Sequence, residues 1–202
     1  MDKGSKGQQT RERLLEAALQ QFVANGYHGA SMRQIAESAG LALGGIYNHF
    51  SSKEEILKAV ILAHHPINLI LPALAQHEGT TLEDFLHSAA SQMLAVLNNR
   101  PELFKVFMIE LQEFEGAHMP VFFEAIGPKA LGFAARLQAL DERLRPLPPL
   151  TIIRLVLGAL LGFYISGTLL SRLPAPYGQQ IGTVDDLVTM LVHGLRQSEE
   201  KA

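Results

Sequence analysis

Apolar residues recur three and four positions apart along almost all of this 202-residue chain, and no segment alternates apolar with polar residues as a half-buried strand does. That periodicity leaves one fold class, all-α. Leu14, Leu15, Ala18, Leu19 and Phe22 form the stripe of a first helix, with Gly26 as its stop. Ser31 caps a short second helix, MRQIAESA, which ends at Gly40. A third short helix is read from Leu43 to Phe50. Ser51 and Glu54 form a capping box ahead of Ile56, Leu57, Val60 and Ile61, and Pro66 bends or interrupts the next stretch. Thr81 with Asp84 opens a helix that ends near Asn98 and Asn99, and Pro101 opens PELFKVFMIELQEF. Three longer helical stretches come after it, over about 120–145, 150–171 and 184–198, so the chain is read as about nine helices.

Charge and composition exclude several function classes. There is no cysteine, so disulfides, thiolate metal sites and thiol nucleophiles are all impossible. The net charge of −3 argues against a uniformly basic, RNA-coating protein. Residues 1–58 carry 7 Lys/Arg against 6 Asp/Glu and the remainder 10 against 14, a slight bias toward polyanion contact at the front. No HExxH, G-x-S-x-G or carboxylate pair beside a histidine appears. His64 and His65 point in different directions on a helix, and His28, His77, His87, His118 and His193 read as surface or packing residues. The expectation is a protein that is not an enzyme, with no catalytic residue, no metal and no cofactor.

MDKGSKGQQTRER lacks the apolar run of a secretory signal. The 17 uncharged residues between Arg154 and Arg172, LVLGALLGFYISGTLLS, sit at the lower limit for spanning a bilayer. Charges close in on both sides, so a buried helix is expected rather than a membrane segment, in a cytoplasmic protein.

Residues 40–57 read GLALGGIYNHFSSKEEIL. Two adjacent glycines each cost about 1 kcal/mol relative to alanine in a helix interior, so plain core filling does not explain Gly44 and Gly45. Three helices in about 40 residues, the last two joined by the tight GLA turn, describe a helix-turn-helix unit. In that geometry the second helix of the pair enters the major groove amino end first. Ala42, Leu43, Gly44 and Gly45 then meet DNA, small enough to let the backbone approach, with Leu43 suited to a thymine methyl. Tyr47 and His49 lie on a flank that reaches phosphate oxygen, and Lys53 adds a cation. Arg33 is the candidate for bidentate recognition of guanine, and Ser31 can bond phosphate as well as cap. Lys3, Lys6, Arg11 and Arg13 are read as a flexible arm. On spacing alone the alternative stands beside this: Tyr47 and Phe50 as core, Arg33 and Lys53 as solvated charges.

The run from Thr10 to Leu57 resembles the DNA-binding domain of the tetracycline-repressor (TetR) family. The matching positions are Ala17–Ala18, Phe22, Gly26–Tyr27, Ser31, Ile35–Ala36, Ala39–Gly40–Leu41, Gly45, Tyr47, His49–Phe50, Lys53–Glu54 and Leu57. The resemblance implies phosphate contacts from Tyr47, His49 and Lys53 and a base contact from Arg33. The family's usual Ser or Thr is Ala42 here, which removes a helix cap and a phosphate ligand. With Leu43 beside Gly44, base reading is left to Arg33, Tyr47 and Asn48. The domains are read as 1–58, helix-turn-helix with residues 1–9 as the arm, and 59–202, for ligand binding and dimerisation.

In the second part, Gly158 and Gly162 share one face of an apolar helix and allow close approach of another, from the same chain or a second one. Leu187, Met190, Leu191 and Leu195 present an apolar face on the last helix. The resemblance implies that these two helices pair with their copies as a four-helix bundle, giving a homodimer. Phe104, Phe107, Met108, Leu111, Phe114, Phe122, Phe123, Phe163 and Tyr164 each read equally well as plain core or as the lining of an apolar ligand cavity. Glu110 lies on a similar face. An exposed Glu110 is the ordinary expectation, and a buried one favours a cationic ligand. The resemblance implies a small-molecule effector that moves the reading heads out of register with operator DNA, hence a ligand-responsive repressor on a near-palindromic site. The alternative is a helical adaptor that binds protein without DNA.

Overall fold

The helical periodicity resolves into nine α-helices in the computed structural model, which describes residues 3–65, 68, 81–177 and 182–197. They are α1 (Lys3–Gly29), α2 (Met32–Ser38), α3 (Leu43–Ile46), α4 (Lys53–His64), α5 (Leu82–Asn99), α6 (Pro101–Phe114), α7 (Met119–Leu140), α8 (Pro149–Leu170) and α9 (Val184–Leu195). Pro66 and His77 lie outside the described residues. Among the described residues there is no strand, only one isolated antiparallel bridge between Leu144 and Arg196. The chain gathers into two compact units, Met1–His65 with Asn99–Ala125 and Pro66–Asn98 with Ile126–Ala202. Residues 99–125 therefore keep company with the amino-terminal helices, although chain order places them in the larger carboxy-terminal part.

In the first unit α1 packs against α2, α4 and α6, α2 against α3, and α4 against α6. Its core is Leu14, Leu19, Phe22, Ile35, Ile46, Phe50, Ile56, Leu57 and Val60, all essentially without solvent contact. Each such side chain contributes about 1.5–3 kcal/mol by leaving water. With seven and four residues, α2 and α3 are too short to persist alone, and this shared core is what holds them.

Gly26 does interrupt α1, as expected: it adopts φ 70° and ψ 174°, outside helical geometry, and a separate short helical piece runs on to Gly29 beyond the kink. Local chemistry at the helix ends departs from the sequence reading in three places. At its other end α1 reaches back to Lys3, so the described part of the expected arm is helical. The third helix closes at Ile46 rather than Phe50. The serine that caps α4 is Ser52, one residue later than the expected Ser51, and the pair with Glu54 does not form. Ser52 Oγ accepts from the Glu55 N–H, and the Glu55 carboxylate accepts from Ser51 N and Oγ at 2.7 Å. Two serines followed by two glutamates permit either register. The structure takes the one that frees Glu54, which accepts instead from Lys58 and lies beside His118.

In the second unit α8 packs on α9, around Ile152, Val156, Leu160, Val188, Val192 and Leu195. Thr183 and Asp186 form the capping box of α9, which holds the Asp186 carboxyl below its ordinary value. Asp141 accepts from both Arg143 and Arg196, and Arg196 also pairs with Glu83. The expectation of a buried α8 is overturned. Only Ile152, Val156 and Leu160 are buried, while Leu155, Leu157, Ile165 and Leu169 face out. The three buried positions follow a single 3.6-residue stripe, too narrow to cover a helix that is apolar on every side. By length and composition alone this helix is also long and apolar enough to cross a membrane.

Candidate nucleic-acid interface

Ser31, extended in φ and ψ, starts α2 by accepting from Gln34 N at 3.2 Å. The helix turns its buried Ile35 and Ala36 inward and leaves Arg33 and Glu37 in solvent. At Gly40 the backbone enters the left-handed region, φ 70°, and Leu41 N donates back to Ala36 O. Without that conformation the chain could not reverse within two residues. Ala42 is then extended and opens α3 with no side-chain cap.

α3 is anchored from one side. Ile46 is fully buried and Phe50 nearly so, with the Arg11 guanidinium 4.9 Å from the Phe50 ring centroid on the side of α1. On the other side Ala42, Leu43, Gly44, Tyr47 and Asn48 are exposed, Leu43 at 44% and Tyr47 at 54%, with Gly45 and His49 half-buried. The two readings of Tyr47 and Phe50 therefore separate: the phenylalanine is core and the tyrosine is surface. A side chain built at Gly44 would meet nothing within 4 Å, and one at Gly45 only Leu41 at ordinary contact distance, 3.7 Å. Nothing inside the chain requires those glycines to be small.

Arg33 Nε donates to Glu37 at 2.8 Å, an exposed pair one helical turn apart. Lys53 is more constrained than its place in the chain suggests. Its ammonium donates to the carbonyls of Tyr27 (2.6 Å) and Ala30 (2.8 Å) and sits 4.4 Å from the Tyr27 ring centroid. It thereby closes the α1–α2 junction just past the Gly26 kink, and partial burial lowers its pKa. One of its three N–H donors is left for another acceptor.

The remaining candidates fall in both units. Phe104, Phe107 and Met108 are half-buried on α6, Leu111 and Phe123 are exposed, and Phe122 is buried. Phe114 lies between Tyr27, which it meets edge-on, and His118, tilted against it, with ring centroids 4.9 Å and 4.7 Å away. Glu110 is 2% exposed, against the ordinary expectation, and the polar partner beside it comes from the chain itself: His118 Nδ1 is 2.7 Å from its carboxylate. Sequence reasoning missed that pair, because a lone histidine past a helix end has no periodicity to betray it. In the second unit Phe163 and Tyr164 are half-buried, the tyrosine hydroxyl donating to Leu97 O at 3.4 Å. Leu195 is buried, Leu187 and Leu191 are half-buried, and Met190 is exposed at 76%. Side chains built at Gly158 and Gly162 would meet nothing within 4 Å.

Residues 14–60 match the family model for bacterial regulatory proteins, tetR family. The HTH-type transcriptional regulator SrpR of Pseudomonas putida is 42% identical over 66 residues, which are 32% of this chain and 31% of SrpR. The chain thus matches about a third of that relative's length. Fold likeness extends much farther. A structure from Shewanella sp. PV-4 assigned to the tetR family superposes with TM-score 0.75 at 21% identity, covering 94% of this chain and 99% of that one. The transcriptional regulator FadR of Bacillus subtilis, solved with stearoyl-CoA, gives TM-score 0.69 at 19% identity over 92% and 99% of the two chains. Residues 14–60 thus form a helix-turn-helix domain of the type found in the tetR family of bacterial regulatory proteins.

Proposed function

We propose that the protein is a cytoplasmic, ligand-responsive repressor that binds near-palindromic operator DNA as a homodimer and releases it when a small, mostly apolar molecule binds its carboxy-terminal part. One observation carries the DNA reading: α3 is pinned by Ile46 and Phe50 and presents outward a surface of Leu43, Gly44, Tyr47 and Asn48. Since no internal neighbour demands Gly44 or Gly45, their cost within a helix is better explained by an outside partner that approaches the backbone closely. Tyr47, His49, Ser31 and the free N–H of Lys53 supply phosphate contacts, and Arg33 supplies a base contact with the two Nη groups that Glu37 leaves available.

Homodimerisation is supported by the open space around Gly158 and Gly162 and by the uncovered apolar face of α8 and α9. A second copy brought against that face doubles the reading heads. For the effector, the fold-level likeness to FadR makes a long acyl chain or its thioester the first class to screen.

The test is selection of bound sequences from random duplex DNA, followed by fluorescence anisotropy on the recovered duplex at several salt concentrations. A near-palindrome is expected, with affinity falling steeply as salt rises because phosphate contacts release counterions. Tyr47→Phe should weaken every duplex by about tenfold if its hydroxyl meets phosphate. Arg33→Ala should also flatten sequence preference. No duplex binding even in dilute salt overturns the reading in favour of a protein-binding adaptor.

A further inference from the structure

The α6–α7 corner folds back on itself. After Phe114, Glu115 (φ 51°) and Gly116 (φ 78°) are both left-handed, Gly116 N donates to Glu110 O, and Ala117 N donates to Phe114 O. This reversal lays His118 over the last turn of α6. Its backbone N–H donates to Glu110 Oε1 at 3.0 Å, and Nδ1 is 2.7 Å from Glu110 Oε2. On the opposite edge of the ring, Nε2 lies 3.0 Å from Oε1 of Glu54, the second residue of α4. Lys58 donates to the same Glu54 oxygen at 2.8 Å. Phe114 and Phe122 flank the imidazole, which is removed from water together with Glu110.

The histidine partners the buried Glu110 carboxyl through its backbone N–H and one ring nitrogen, as a buried polar group requires. Its other ring nitrogen reaches the first turn of α4, next to Lys53, which closes the α1–α2 junction, and Ile56 and Leu57, which lie fully buried in the core that also takes Ile46.

We propose that His118 is a positioning residue for DNA reading: by bridging Glu110 and Glu54 it fixes the start of α4, and with it the seat of α3, against the α6–α7 corner. It touches none of the docking-face residues and acts only through α4. The inference rests on the DNA-binding reading above. A purely structural His118 would stabilise the fold without favouring one of its two carboxylate arms.

The two amide substitutions tell these apart. In His118→Asn the amide nitrogen stands near the old Nδ1 and keeps Glu110, whereas in His118→Gln it stands near Nε2 and keeps Glu54. Both are measured on the duplex recovered by selection with the wild-type protein, with thermal midpoints recorded alongside. Both variants should melt earlier. His118→Gln should hold wild-type affinity within about threefold, and His118→Asn should lose about tenfold. If His118→Asn does not fold, Glu54→Ala tests the same arm from its half-exposed end and should lose a similar factor. Lys58→Ala, which removes only the competing donor, should not. Equal losses in His118→Asn and His118→Gln, or wild-type affinity in His118→Asn or in Glu54→Ala, overturn the positioning role while leaving DNA binding intact. Failure of the wild-type protein to bind any duplex removes both.

Discussion

The helices that carry the reading face and the pair α8–α9 solve the same problem in opposite ways. In α1–α4 every large apolar stripe finds a partner inside the unit: Leu14, Phe22, Ile35, Ile46, Phe50, Ile56 and Val60 close on one another. Apart from Leu43, what is left outside on α3 and the residues just after it is small, polar or aromatic with a hydroxyl. In α8–α9 the inward stripe is equally well buried, yet Leu155, Leu157, Ile165, Leu169 and Met190 remain exposed. The first region leaves mainly small and polar groups in solvent, and the second leaves a row of large apolar ones there.

Substitutions can break or sharpen that contrast. The largest effect belongs to Phe22→Ala, which opens a cavity in a core with no slack and should cost about 3–5 kcal/mol in urea unfolding. Leu169→Ala, at a site 67% exposed, should cost the isolated chain within about 0.5 kcal/mol. Comparable losses at the two sites would remove the distinction. Next comes Leu155→Glu, which puts a charge on the uncovered face. If the proposed homodimer forms through this face, sedimentation should show the variant as a monomer beside a dimeric parent, and duplex affinity should fall about a hundredfold. An unchanged dimer would place the interface elsewhere.

Smaller effects test the local chemistry of the first region. Ser52→Ala should destabilise it by about 1 kcal/mol, since Ser52 rather than Ser51 accepts from the helix amide. The smallest concerns His64 on α4, where burial first and Arg100 second hold the imidazole pKa below its ordinary value. The unfolded chain therefore takes up that proton first. The stability contributed by neutral His64 is complete above about pH 6.5 and drains away as pH falls from there through the lowered folded value. Thermal melts from pH 7.5 to 5 should flatten in His64→Gln, and an unaltered slope would assign the acid sensitivity to other groups.

The all-α class, the caps at Ser31, Thr81 and Asp84, the proline start of α6 and the tight turn at Gly40 were legible in order along the chain. Each depends on residues within one or two turns of each other, and that range is what periodicity and capping report. The split between Tyr47 and Phe50 was not legible, because it depends on which of two residues just past a four-residue helix turns into the core, where Arg11 lies against the phenylalanine ring.

Sequence by itself determined that the chain is helical, where most of its helices begin, and that a helix-turn-helix with a glycine-softened second helix lies near its front. Only tertiary structure decided that Glu54 rather than Glu55 would be free to meet His118, 64 residues away, that Lys53 would bond Tyr27 and Ala30, and that α8 would be left half bare. Those outcomes arise from contacts between distant segments, where a one-residue shift in a cap or a corner changes every partner, and no local pattern of side chains encodes that choice.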